Sequence, residues 1–164
     1  MLEANYEFVK DWIPAHVATP LPVTELAQRL AGFAADFDAG RSWRFGIVSA
    51  DEREIYGEVT LFFRTDTGRT ALDSADRLEI GYWLHREVTG RGYATEAARE
   101  MMVLARELGD MSHVEIRCDP LNAPSAAVPR RLGFRLVTSD APLSANVAGT
   151  ADGMLWVYDL RMDR

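Results

Sequence analysis

The chain has 164 residues, 48% of them hydrophobic and 26% charged, proportions of one globular domain long enough to bury a core. Its net charge of −7 and pI near 5.0 argue against a nucleic-acid binder that depends on phosphate contacts and suit a protein receiving cationic amines. The lone Cys118 excludes an internal disulfide and a multi-cysteine metal site, and His16, His85 and His113 lack metal-ligand spacing.

At the N-terminus Glu3, Glu7 and Lys10 are followed by no apolar run, so no signal peptide is visible. Nothing downstream approaches the roughly 18 apolar residues of a membrane span. The expected home is the cytoplasm, with no membrane partner. Residues 2–13 predict an amphipathic helix with Leu2, Tyr6, Val9 and Ile13 on one face, ended or bent at Pro14. After Pro20 and Pro22, Thr24 reads as the N-cap of a second helix carrying Leu26, Leu30, Phe33, Ala34 and Phe37, closed by Gly40. Residues 42–49 and 55–64 predict a hairpin around the charged turn 51–54. Residues 65–76 form a polar connection, expected to be mobile.

Residues 78–84 are rich in aromatic and branched side chains, which suit a half-buried strand. Beyond them Ala94, Ala97, Ala98, Met101, Met102, Ala105 and Leu108 recur at helical spacing, and Gly109 stops that helix. Residues 113–119 alternate Val114, Ile116 and Cys118 with Glu115, Arg117 and Asp119, a strand with one buried face. Residues 124–132 predict a short helix that Pro129 should distort. Residues 134–138 and 154–160 are the last strands, joined by the small-residue segment 139–153. The order is that of a single α/β domain, residues 1–164, with a mixed sheet.

Between the strand 78–84 and the long helix lies Thr89-Gly90-Arg91-Gly92-Tyr93-Ala94-Thr95. At such a junction the N–H groups of the first helical turn have no partner inside the helix. The helix dipole also favours negative charge there. Gly90 and Gly92 let that backbone approach a ligand closely, so a phosphate fits, although glycines also simply make turns. A Walker loop is excluded by the missing Gly-Lys-Ser/Thr ending. A Rossmann fingerprint fits poorly, because residues 85–89 intervene after the strand and Asp110 falls at the helix end.

Ile80-Gly81-Tyr82-Trp83-Leu84 followed by this loop resembles the acetyl-coenzyme-A loop of the GNAT superfamily of N-acetyltransferases. A second block, Asn122-Ala123-Pro124-Ser125 and then Arg130-Arg131-Leu132-Gly133-Phe134, is similar to the next strand-to-helix turn of its Rim-type branch. That branch contains the ribosomal-protein N-terminal acetyltransferases and their small-molecule-acetylating relatives. The resemblance implies the GNAT fold, a mixed central sheet flanked by helices, here without the usual first strand. Either the sheet has lost an edge or the true start lies upstream of Met1. A strand at 42–49 would then expose an unpaired edge, and because Rim-type relatives often pair, a homodimer is expected.

By this resemblance acetyl-CoA is the co-substrate, with no metal, and an amine is the acceptor, a peptide N-terminus or a small molecule. Residues Thr89–Thr95 would hold the pyrophosphate through backbone N–H groups, with Arg91 as an additional partner or a solvated side chain. Thr89 stands where many relatives have Gln or Arg. The backbones of Trp83 and Leu84 would pair with the pantetheine amides. Asn122 would hydrogen-bond the pantetheine arm, and its type equally suits an N-cap. Many relatives carry a tyrosine acid five residues before the phenylalanine matched by Phe134; here that position is Pro129. Ser125 is the substitute that the Rim-type pattern implies.

For the base, Glu79 stands out as a carboxylate in an otherwise apolar strand. A charge there is costly unless it is paired or used. Its alternatives are proton transfer and a salt bridge with Arg77 or Arg44. Glu58 on the hairpin strand is the second candidate, acting through water. Trp12, His16 and Phe37 would lie on the wall of the acceptor cleft, and Cys118 reads as a core thiol rather than a nucleophile. The rival functions are an antibiotic- or polyamine-type acetyltransferase and a non-catalytic acyl-CoA sensor.

Overall fold

The structure, a computed structural model, describes residues 2–142 and 152–163. Its elements are helices α1 (Leu2–Val9), α2 (Ala15–Ala18) and α3 (Val23–Asp38), then strands β1 (Ser42–Val48), β2 (Ile55–Thr65), β3 (Gly68–Arg69) and β4 (Arg77–Leu84). Helix α4 (Tyr93–Glu107), β5 (His113–Cys118), α5 (Ala123–Arg131), β6 (Arg135–Pro142) and β7 (Asp152–Asp159) follow. The described strands form one sheet in the order β1-β2-β4-β5-β7-β6, with β3 paired to β2. Neighbours are antiparallel except β4 and β5, which are parallel. This is the mixed α/β sheet flanked by helices that the sequence predicts. No helix among the described residues is long and apolar enough to cross a membrane.

Several boundaries move, each for a local reason. The first helix ends at Val9 rather than running to residue 13, and Pro14 opens α2 instead of closing α1. A proline has no N–H to continue a helix, but its fixed φ suits a helix start. The same device sets α3, whose N-cap is Pro22 rather than Thr24. The polar connection 65–76 contains β3, paired Arg64 to Arg69, and a 3₁₀ turn at Leu72–Ser74. Residues 143–151 of the segment 139–153 lie outside the described residues, and β6 and β7 extend into its flanks.

Strand register divides the sheet into two faces, because alternate side chains point oppositely. One face carries the fully buried Leu61, Phe63, Leu78, Ile80, Val114 and Ile116. It joins one apolar cluster with Ala98, Met101, Met102 and Ala105 of α4 and Ala126 and Val128 of α5. The other face is polar. There Glu58, Thr60, Phe62 and Arg64 of β2 stand opposite Trp83, Gly81, Glu79 and Arg77 of β4. Arg44 of β1 and Glu115 and Arg117 of β5 share this face.

Contrary to the one-faced strand expected at 113–119, Glu115 is buried, at 3% exposure. Arg117 Nη2 (2.8 Å) and His113 Nε2 (3.3 Å) compensate it. Burial alone would raise its pKa, but hydrogen bonds from His113 and Arg117 hold it down at about 2. At one end of the polar face Val9, Ile13, Val17 and Ala18 form a small core against which Trp83 packs. β1 is the outer strand, and α3 lies on it, with the Phe37 ring 6.0 Å from Trp43 and 5.7 Å from Phe45.

Candidate active site

The site begins where two strands part. β4 has eight residues and β5 six, yet they pair only at Leu78 with Val114 and Glu79 with Glu115. Beyond Glu79 a cleft of about 740 Å³ opens, lined by residues 80–84 on one side and 117–119 on the other. His85 N–H donates across to the Tyr56 carbonyl of β2 at 2.6 Å. Backbone groups alternate in direction along an antiparallel ladder, so those of Tyr82 and Leu84 face the gap. Those of Trp83 face β2, one residue out of phase with the role expected for them. The Leu84 carbonyl accepts from Asn5 Nδ2 at 3.2 Å, and Asn5 Oδ1 accepts from Arg86 N–H at 3.0 Å. This buried asparagine fastens α1 to the end of β4, a contact 79 positions apart in sequence that no local motif announces.

At the exit of β4, His85 Nδ1 accepts from Glu87 N–H at 3.3 Å and caps a 3₁₀ turn at Arg86–Val88. The chain then passes through left-handed Gly90 (φ 75°) and Gly92 (φ 91°), and Gly92 is the N-cap of α4. A Cβ on either glycine would meet no atom within 4 Å. Backbone conformation therefore demands glycine here, and any side chain would project into open space at the helix start. The first capping bond of α4 is Glu96 N–H to the Gly92 carbonyl, at 3.0 Å. The preceding N–H groups of Gly92, Tyr93, Ala94 and Thr95 have no hydrogen bond within the described residues, the arrangement that receives an anion.

The side chains of this loop behave less uniformly. Thr89, Gly90, Gly92, Ala94 and Thr95 line the cleft. Thr89 Oγ1 donates to the Arg86 carbonyl (2.8 Å), and Arg91 Nη2 donates to the Glu87 carbonyl (3.1 Å). Tyr93 stacks on Tyr56, with centroids 5.1 Å apart.

Across the gap, Asn122 Oδ1 accepts from Ser125 N–H at 3.1 Å and caps α5, while Asn122 also lines the cleft. Pro129 lies inside α5 and has no N–H for the carbonyl four residues earlier, that of Ser125. That carbonyl instead accepts from Tyr82 Oη at 2.9 Å. The Ser125 hydroxyl in turn donates to Tyr82 Oη at 3.4 Å. The proline expected to distort the helix thus frees an acceptor for a cleft tyrosine. Burial raises the pKa of the Tyr82 hydroxyl well above the usual tyrosine value. Sequence spacing finds no tyrosine near Ser125, because Tyr82 arrives from a strand 43 positions away. Burial also pushes the Cys118 thiol up to about 11, which fits a core thiol and disfavours a nucleophile.

Both candidate carboxylates stand on the polar face. Glu79 is ion-paired, but with neither Arg77 nor Arg44. Its Oε2 meets Arg64 Nη1 at 2.8 Å and Arg117 Nε at 3.4 Å, and its Oε1 meets Arg69 Nη2 at 3.3 Å. Arg77 pairs with Asp66 and Asp76 instead. Glu58 Oε1 accepts from Arg44 Nη1 and from Thr60 Oγ1, while its Oε2 has no hydrogen bond among the described residues. Trp12 and His16 line the cleft; Phe37 does not. No group of three or more His, Cys, Asp or Glu among the described residues could hold a metal ion.

A family model described as an acetyltransferase (GNAT) domain matches residues 2–135. Over 64 residues the chain is 41% identical to a putative ribosomal N-acetyltransferase, YdaF, of Bacillus subtilis, covering 38% of this chain and 35% of that protein. The matched stretches span from about a third to just over half the length of the curated relatives. Among solved structures, a RimL ribosomal-protein α-N-acetyltransferase in complex with coenzyme A superposes with a TM-score of 0.76. The two are 18% identical, and 96% of this chain and 84% of that chain are covered. The microcin self-immunity acetyltransferase MccE in complex with acetyl-CoA and AMP gives 0.76 at 19% identity, with 96% and 82% covered. At such identities the structures show a shared fold. The family match spans most of the sequence and agrees with the parted strands and glycine loop: the chain belongs to the GNAT acetyltransferase domain family.

Proposed function

We propose that the protein is an acetyl-CoA-dependent N-acetyltransferase that passes an acetyl group directly to a primary amine. The acceptor is a peptide N-terminus or a small-molecule amine. The observation that carries this reading is the gap between β4 and β5, which ends at the unpaired N–H groups of α4. A thin, amide-bearing chain with a pyrophosphate at one end fits such a slot, and acetyl-CoA supplies the acetyl group as a thioester. The loop N–H groups hold the phosphates, and Gly90 and Gly92 keep that approach open. Along the slot the backbone of Tyr82 and the N–H of Leu84 are free to pair with the pantetheine arm. Asn122 stands at the opposite wall.

Transfer requires the amine nitrogen to bond the acetyl carbon while the carbon–sulfur bond breaks. Glu58, through its free oxygen, takes the proton that the nitrogen sheds, directly or through a water. Ser125, seated on Tyr82, turns its hydroxyl proton toward the departing sulfur. Glu79 orders the arginines around it and acts as a positioning residue. The reading is tested by incubating the protein with acetyl-CoA and a panel of primary amines and N-terminal peptides. Free coenzyme A should appear in step with one acetylated amine. Tight acetyl-CoA binding with no transfer to any amine would overturn it and favour the sensor.

We also propose a homodimer formed at the outer strand β1, whose outward backbone groups favour pairing. Sedimentation of the purified protein at micromolar concentration should show a dimer. A monomer there would refute the proposal.

A further inference from the structure

The carboxylates lining the cleft are Glu58, Glu79 and Asp119. Arginine holds the first two: Arg44 on Glu58, and Arg64, Arg69 and Arg117 on Glu79. Asp119 differs. The arginines of the cleft wall, these four and Arg131, leave it without an ion pair among the described residues. Yet its exposure is only 7%, and burying a charge with no partner is costly. Its Oδ1 accepts from Leu121 N–H at 2.7 Å and shapes the turn into α5. Its Oδ2 has no hydrogen bond among the described residues. The sealed side-chain atoms without a partner there are Arg44 Nε, Trp83 Nε1 and Trp156 Nε1, so Oδ2 is not sealed and opens onto the cleft. The turn uses one oxygen, which an asparagine would supply equally well. The charge and the second oxygen are left for something else.

Strand register fixes where Asp119 stands. Beyond the pair Glu79–Glu115, the same face continues to Gly81 and Trp83 on β4 and to Arg117 and Asp119 along and just past β5. Trp83 pairs in turn with Glu58. Glu58, Trp83 and Asp119 therefore form one row across the sheet, with the parted strands between the last two. Adjacent strands lie about 4.8 Å apart, so two steps separate the carboxylates by roughly 10 Å, and by more where the strands part. Arg117, two residues back on this face, is turned to Glu115 and Glu79.

We propose that the acceptor carries a second cationic group and that Asp119 binds it, while Glu58 serves the reacting amine. The inference rests on the acetyltransferase reading and names the substrate class. The shared chemistry is a cation a few bonds from the reacting nitrogen, either the second ammonium of a short aliphatic diamine or a basic side chain beside a peptide N-terminus. A charge-assisted hydrogen bond spans about 2.8 Å at each end, so a linker of a few bonds completes the row. The chain's net charge of −7 attracts such a dication. Anchoring one end then holds the other nitrogen at the acetyl group.

The test uses matched acceptors with the full-length protein. One arm compares 1,4-diaminobutane with butylamine, and the other compares the tripeptides Ser-Arg-Ala and Ser-Gln-Ala. A charge-assisted hydrogen bond should make kcat/KM favour the dicationic member of at least one pair by about 10–100-fold, beyond the doubling that two identical amines give. The responding arm identifies the source of the cation. Asp119→Asn keeps the acceptor for Leu121 N–H and removes the charge, so it should bring that ratio to within about twofold. Asp119→Glu should restore part of it. Affinity for acetyl-CoA, measured by calorimetry, checks that each variant is folded. Equal kcat/KM within both pairs in the unmodified protein would overturn the proposal. So would a loss in Asp119→Asn of the same size for both members of a pair, which would mark a turn or a base instead. The same pairs in equilibrium binding, measured with coenzyme A present, read the cation site without turnover. A preference in binding with no transfer would refute the enzyme reading alone; no preference in binding would refute the cation site.

Discussion

Glu58→Gln is expected to lower kcat by about 10²–10³-fold at neutral pH, within the range typical of a lost general base. The amide still accepts the hydrogen bonds that Arg44 and Thr60 give to Oε1, so the local geometry should survive. What it cannot do is take a proton from the amine. The deficit should therefore shrink as pH rises past the amine's own pKa, near 8 for a free N-terminus, where the acceptor arrives deprotonated. Acetyl-CoA affinity should be unchanged, because Glu58 stands on β2 and not on the loop. Glu79→Gln should behave differently. Three guanidinium groups already engage both of its oxygens, so its loss should raise the acceptor KM and lower thermal stability. In kcat it should cost less than about tenfold. Initial-rate kinetics of both variants between pH 7 and pH 9 decide the matter. A severe, pH-rescued loss in Glu79→Gln with a mild one in Glu58→Gln would exchange their roles.

The parts of the site that the sequence makes legible are those built from neighbours in the chain. Gly90 and Gly92 read as a special turn because left-handed backbone selects glycine, and both occupy it. The apolar stripe from Ala94 to Ala105 reads as a helix because its period is local, and Ala98, Met101, Met102 and Ala105 are buried as expected. Asn122 reads as a cap and is one. What sequence cannot show is which charges meet across strands. Arg64, Arg69 and Arg117 reach Glu79 from β2, β3 and β5, and β3 itself is two residues inside a polar connection. Glu115 looks like a solvent-facing residue until the second face of the sheet is found to be buried as well.

Proline supplies the sharpest contrast. Pro129 signals a broken helix by its type alone, but its effect depends on Tyr82, which the fold brings to the freed Ser125 carbonyl. Pro14 and Pro22 similarly begin helices rather than end them, because each stands where an N–H would have no partner. Thr24 has the composition of a cap and sits two residues too late to serve as one. In these cases residue type limits the choices, and the position of the surrounding backbone makes the selection.

Calorimetric titration of acetyl-CoA into the unmodified protein and into Gly92→Leu tests the central claim most directly. Gly92 has φ 91° and faces open space at the N-terminus of α4. A leucine there would project into that space while straining the turn that aims the following N–H groups. Losing two charge-assisted hydrogen bonds at about 1.5 kcal/mol each corresponds to about a hundredfold in affinity. The unmodified protein should bind one acetyl-CoA per chain, and the variant should bind at least about a hundredfold more weakly while keeping its far-ultraviolet circular dichroism. Equal affinity in the two proteins, both folded, would contradict the assignment of this loop and of the cleft that leads to it.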